Sequence, residues 1–122
     1  MIKTYRDLLV WQKAMKLVSA IYRITKNFPK NEEFSLSSQI RRAAISIPSN
    51  IAEGFGRKTP KEFTRFLYIA IGSLFEVQTQ IDISLNQKYI ANDTYKDIFD
   101  KSREIERMIC SLILKIKNSK KK

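Results

Sequence analysis

Ser38-Gln39-Ile40-Arg41-Arg42-Ala43-Ala44-Ile45-Ser46-Ile47-Pro48-Ser49-Asn50-Ile51-Ala52-Glu53-Gly54-Phe55-Gly56-Arg57 is the stretch that decides the fold of this 122-residue chain. Its aliphatic residues return at helical spacing, and it closes on Gly54, a residue able to take a left-handed cap. At about 100° per residue, Ile40, Ala44, Ile47 and Ile51 fall on one line, and Gln39, Arg42, Ser46, Ser49, Asn50 and Glu53 gather on another. The second line consists mostly of amides, hydroxyls and small groups where a surface helix would carry long charged side chains. Ile45, Pro48 and Ala52 form a third, mostly apolar face, so the helix is expected to be buried nearly all round. An interior proline removes a hydrogen bond at a cost of about 3 kcal/mol, which predicts a kink at Pro48 held by packing on several sides. Glu53 lies in the last turn, where its charge opposes the helix dipole, and Arg57 is the nearest candidate cation.

Three more helices surround this one. A first helix is predicted from about Asp7 to Lys26, with Trp11, Ala14, Met15, Val18, Ile21, Tyr22 and Thr25 on one face. Arg6, Lys13, Lys16 and Arg23 cluster roughly opposite. Asn27-Phe28-Pro29-Lys30-Asn31 is a turn, and Ser35 is placed to cap the second helix. Gly54-Phe55-Gly56-Arg57-Lys58 reads as a helix cap and tight turn, since phosphate-cradling glycine loops follow a strand and open a helix. Thr59-Pro60-Lys61-Glu62 starts a third helix running to about Gln87, with Thr59 as N-cap and Glu62 completing a capping box. Its core face is Phe63, Phe66, Leu67, Ala70, Leu74, Val77, Ile81 and Leu85, beside a second polar line of Ser73, Glu76 and Gln80. Mid-helix Gly72 costs about 1 kcal/mol relative to alanine, and its expected use is the close approach of a neighbouring helix. After Asn92-Asp93 a fourth helix carries Tyr95, Ile98, Phe99, Ser102, Ile105, Met108, Ile109, Leu112 and Ile116. Short connections make this an all-α, antiparallel up-down four-helix bundle over residues 1–116, followed by a basic tail, 117–122, expected to be disordered.

Two polar lines facing each other predict a structural network of Gln39, Arg42, Ser46, Asn50, Glu53, Ser73 and Glu76. A buried Arg42–Glu76 ion pair would be its centre, costing about 3–5 kcal/mol to break from one side. Ile45, Pro48 and Ala52, with Tyr68, Ile71 and Phe75 on the third helix, form the expected oligomer interface. The core edge is the alternative for the last three.

Composition narrows the chemistry. Histidine is absent, which removes the commonest general base and metal ligand, and the single cysteine, Cys110, fits a small core position. No metal site, cofactor or catalytic group is therefore assigned; a hydrolase would have only Glu53 and Glu76 to use. No apolar run is long enough for a membrane span and the N-terminus lacks a signal peptide's apolar core, so the expected location is cytoplasmic. The net charge is +11, distributed as +6 in residues 1–30, +1 in 31–58, 0 in 59–91 and +4 in 92–122. Such an excess suits a polyanionic partner.

Leu8-Leu9-Val10-Trp11-Gln12-Lys13-Ala14, Phe28-Pro29, the stretch Ser38 to Gly54, and Phe66-Leu67-Tyr68-Ile69-Ala70-Ile71-Gly72-Ser73-Leu74-Phe75-Glu76 together resemble the bacterial four-helix-bundle proteins encoded in intervening sequences of 23S rRNA genes. These are also labelled S23 ribosomal protein. The resemblance spans roughly residues 4–116 and implies a bundle, a ring-like homopentamer and a role in binding nucleic acid. Similar folds serve as accessory proteins to reverse transcriptases of diversity-generating retroelements. The expectation is thus a non-enzymatic, oligomeric protein binding nucleic acid, RNA foremost, through phosphates. Lys13, Lys16 and Arg23 are the first candidates for contact, then Arg57 and Lys58, and the tail lysines Lys120, Lys121 and Lys122. A protein–protein adaptor, for example to a reverse transcriptase, is the alternative.

Overall fold

The computed structural model describes residues 1–120, with only the backbone of Lys120. It contains helices α1 (Leu9–Thr25), α2 (Leu36–Phe55), α3 (Pro60–Asn86) and α4 (Asn92–Lys120), with 3-10 turns at Tyr5–Asp7 and Lys30–Glu32; the described residues include no strand. Short connections and side-chain hydrogen bonds join each helix to the next. Arg41 Nε donates to Thr25 Oγ1 at 2.8 Å, Ser73 Oγ donates to Ser46 Oγ at 2.8 Å, and Gln78 donates to Ser102 and Glu106. Lys13 meets Glu104 at 3.1 Å and closes α4 back on α1. The result is an antiparallel up-down four-helix bundle.

Ile40, Ala44, Ile47 and Ile51 of α2 are fully buried against Leu17 and Ile21 of α1, Leu67, Leu74, Val77 and Ile81 of α3, and Ile98, Ile105 and Ile109 of α4. One aliphatic stripe per helix therefore supplies the core, as the helical spacing of the sequence requires.

The outer stripe of α2 differs from expectation. Gln39, Arg42, Ile45, Ser49 and Glu53 are exposed, so within one chain the helix is buried on two thirds of its circumference rather than all round. Pro48 is buried inside α2, which continues through it without a break. Gly54 takes no left-handed cap, because no glycine has positive φ. Its role is steric: a Cβ there would lie 2.7 Å from Phe66 Cβ and 3.2 Å from the Phe63 carbonyl oxygen, so the missing side chain lets α2 and α3 close together. Gly72, expected to admit a neighbouring helix, faces open space. Cys110 is exposed rather than a core residue.

Two helix starts differ from expectation. Thr59 caps α3 by accepting from Glu62 N at 3.2 Å, but Glu62 turns to Arg65 instead of completing a capping box. Such a box forms at Thr4–Asp7. At α2, Ser35 makes no cap bond to the backbone; its hydroxyl donates to Glu32, whose carboxylate also accepts from Leu36 N. Tyr89 donates to the same carboxylate at 2.8 Å and packs its ring on Phe28, tying the α1–α2 connection to the α3–α4 turn. α4 runs on to Lys120, so the expected boundary after residue 116 falls within a helix. A helix without an acidic residue after Glu106 is sustained there by Ile109, Ile113 and Ile116 on its core side.

Candidate nucleic-acid interface

The topology rearranges the charge. An even number of antiparallel helices returns the chain to the end where it started, so both termini share one end of the bundle with the α2–α3 connection. Leu8, Leu9 and Val10 border one cleft with Arg107, Met108 and Lys115 of α4, and Arg57, Lys58 and Pro60 border another with Lys115 and Ile116. Residues 1–10, 52–66 and 107–119 together carry nine basic and three acidic side chains, a surplus of six. The other residues up to 119 carry eleven and nine, a surplus of two. Topology thus gathers +1 from residues 1–10, +2 from 52–66 and +3 from 107–119 into one basic cap, while the rest of the N-terminal excess runs along α1 and the turn after it.

Each candidate cation has a distinct setting. Lys13 is held by Glu104 at 3.1 Å, and Arg23 lines a cleft with Asp93 and Asp97 at the start of α4. Lys16 and Arg23 are both exposed with no carboxylate within 4 Å among the described residues, and Lys16 stands beside Lys13, Lys101 and Glu104. Of the three, Lys13 is the one paired with an acid of α4 among the described residues, which no inspection of α1 alone reveals. Arg57 pairs with Glu53 at 3.2 Å, and its guanidinium lies 4.9 Å from the centre of the Phe66 ring. Lys58 and Lys115 are exposed and make no ion pair within 4 Å among the described residues. Lys120 has no described side chain, and Lys121 and Lys122 lie outside the described residues. Lys115 and Arg107 were missed as candidates; the signal was the absence of any acidic residue after Glu106.

The carboxylates nearest this cap are already engaged. The hydrogen bond from Arg65 holds Glu62 below its ordinary pKa, and Asp7 is likewise lowered by accepting from the Thr4 and Lys3 backbone N–H groups. Both stay ionised, but the Glu62 charge is spent on Arg65 at 3.0 Å.

Of the expected polar network, Ser46, Asn50 and Ser73 come together: Asn50 Nδ2 donates to Ser46 O at 2.8 Å and Ser46 Oγ at 2.9 Å. The Arg42–Glu76 pair does not form. Both residues are exposed on the outward sides of their helices, with no ion pair between them within 4 Å. The 100° step that put Ser46 and Ser73 face to face carries Arg42 and Glu76 out of the seam.

The residues expected at an interface divide. Ile45, Tyr68 and Phe75 are 41%, 51% and 49% exposed, while Pro48 is buried and Ala52 and Ile71 are half-buried. Ile45, Pro48 and Ala52 line a cleft of about 300 Å³ with Trp11, Met15 and Val18 at the α1–α2 seam. Tyr68 lies at the α3–α4 seam, where Lys117 donates to its hydroxyl at 3.0 Å. The bundle order puts these seams on opposite sides. Among the described residues no cluster of three or more acidic or thiol ligands is placed to hold a metal, and no helix is long and apolar enough to cross a membrane.

The fold and its charge define a basic-capped four-helix bundle without an assigned catalytic centre. The 23S rRNA-intervening sequence protein family matches residues 6–111, and the chain belongs to that family. A solved structure of a protein of unknown function from the S23 ribosomal protein family of Bacteroides thetaiotaomicron VPI-5482 is similar. It has a TM-score of 0.80 and 27% sequence identity, over 86% of this chain and 98% of that one. No curated protein matches the chain in sequence.

Proposed function

We propose that this chain is a non-enzymatic, self-associating cytoplasmic protein that binds nucleic acid, RNA foremost, through the phosphates. The supporting observation is the basic cap: a surplus of six charges over 38 residues at one end of a bundle whose remainder is nearly balanced. Cations gathered on one face neutralise phosphates together and release their counterions, giving affinity with little sequence preference and a steep salt dependence. Lys58 and Lys115 lead, followed by Arg57 and Arg107, and the tail lysines remain candidates from the sequence. The family's link to rRNA genes agrees with an RNA partner.

Self-association rests on the two partly exposed apolar seams. Unlike patches on opposite sides join head to tail, and such contacts close into rings when the rotation permits. A homopentamer is the ring that the family resemblance favours. Titration of RNA and DNA against the protein at several salt concentrations tests the binding, with sedimentation reporting the mass. Binding that weakens linearly in log–log form with salt is expected; no binding at low salt, or binding indifferent to salt, refutes it. The same exposed seams favour a second reading, an adaptor for an enzyme such as a reverse transcriptase. Capture of that enzyme from the native cell in a nuclease-resistant complex would support it.

A further inference from the structure

The cleft between the α2–α3 connection and the last turns of α4 has a volume of about 420 Å³, within the range of small-molecule sites. Pro60, Phe63 and Ile116 supply its apolar lining, and Arg57, Lys58 and Lys115 its cationic lining. Phe63 is half-buried and meets Phe55 edge-on, with ring centres 6.0 Å apart. Of the nearby carboxylates, Glu53 is already paired with Arg57 and Glu62 with Arg65, and neither lies within 4 Å of the Lys58 or Lys115 ammonium.

We infer that this cleft receives one unstacked nucleotide of a single-stranded nucleic acid, its base or sugar on Phe63, Pro60 and Ile116 and its phosphate between Lys58 and Lys115. A lining part apolar and part cationic matches the two halves of a nucleotide: a flat, weakly polar ring and a charged group a few ångströms away. A duplex offers only the second half, because its bases are stacked inside. This inference rests on the nucleic-acid reading above and adds a strand preference that electrostatics alone reverses. Duplexes have the higher phosphate density and would bind at least as tightly through lysines alone. Stacking of a base on an aromatic ring supplies the difference, tolerant of sequence because every base has a π-face.

Fluorescence anisotropy with oligouridylate and with a blunt RNA duplex of equal length, at one moderate salt concentration, provides the test. The single strand is expected to bind about tenfold more tightly, within the range for one stacked base. Lys58→Glu with Lys115→Glu, both exposed and outside the core, is expected to abolish that preference; Lys16→Glu is expected to retain it. Photocrosslinking with a 4-thiouridine oligomer, which needs no variant to fold, is expected to mark peptides containing Phe63 or Ile116. Duplex binding as tight as single-strand binding, a preference surviving the double reversal, or adducts confined to α1 would each overturn the inference, and salt-dependent binding would then still stand. Failure of both nucleic acids to bind at low salt would remove the broader reading as well.

Discussion

Two glycines in neighbouring helices respond oppositely to the same substitution. Gly→Ala in a helix interior gains about 1 kcal/mol of intrinsic helix stability wherever the site is open. At Gly72 the new methyl has nothing within 4 Å, so Gly72→Ala should stabilise the protein by roughly that amount. At Gly54 the Cβ would stand 2.7 Å from Phe66 Cβ, 3.0 Å from Phe63 Cδ1 and 3.2 Å from Phe63 O. A ring atom can swing aside, but a Cβ and a carbonyl oxygen move only with the α3 backbone. Overpacking of this kind costs about 1–3 kcal/mol and outweighs a propensity gain that is reduced near the helix end. The net loss should be about 1–2 kcal/mol, leaving the two variants about 2–3 kcal/mol apart. Urea unfolding at one fixed protein concentration, with the slope unchanged, measures both. Gly54→Ala as stable as the parent would refute the close approach of α2 and α3, and loss of stability at Gly72 would mean that its face is covered.

Lys88 has φ of 64°, at the turn after α3, and Lys88→Gly should raise stability by about 0.5–1 kcal/mol in the same assay, since the left-handed conformation costs a side chain about 1–2 kcal/mol. Glu32 is lowered by hydrogen bonds from Ser35 and then Tyr89, and Tyr89 is raised by its bond to Glu32. Their contribution is present between the ordinary carboxylate and phenol pKa values; it is lost as pH falls through the depressed Glu32 value or rises through the elevated Tyr89 value. The stability difference between the protein and Tyr89→Phe should therefore be largest near neutrality and shrink at both extremes. Arg42→Ala and Glu76→Ala, both exposed, should each change the stability of the single chain by less than about 0.5 kcal/mol; several kcal/mol from either would restore the buried pair.

The four helices were legible because one aliphatic stripe in each, at helical spacing, leaves a single way to exclude water. Ile40, Ala44, Ile47 and Ile51 ended where their spacing put them. Finer features were not legible, for physical reasons that differ. A glycine near a helix end reads equally as a cap or as a contact, and only the approach of Phe66 decided Gly54. Arg42 and Glu76 lie in polar lines that face each other on paper, yet one helical step separates a seam from an outer surface. Charge was misplaced for a third reason: Lys13 belongs to a basic face only until α4 brings Glu104 against it. The surplus charges of residues 1–10, 52–66 and 107–119 are remote from one another in the sequence, and only topology joins them.

Under the proposed function the basic cap, and not the α1 face, contacts phosphate. The most direct measurement is the slope of log affinity for single-stranded RNA against log salt in the unmodified protein, in Lys58→Glu/Lys115→Glu and in Lys16→Glu/Arg23→Glu. Each lost phosphate contact reduces that slope by about 0.7. A reduction of at least about 1.4 is expected for the cap variant and little change for the α1 variant. The reverse order, or equal slopes in all three proteins, would contradict it.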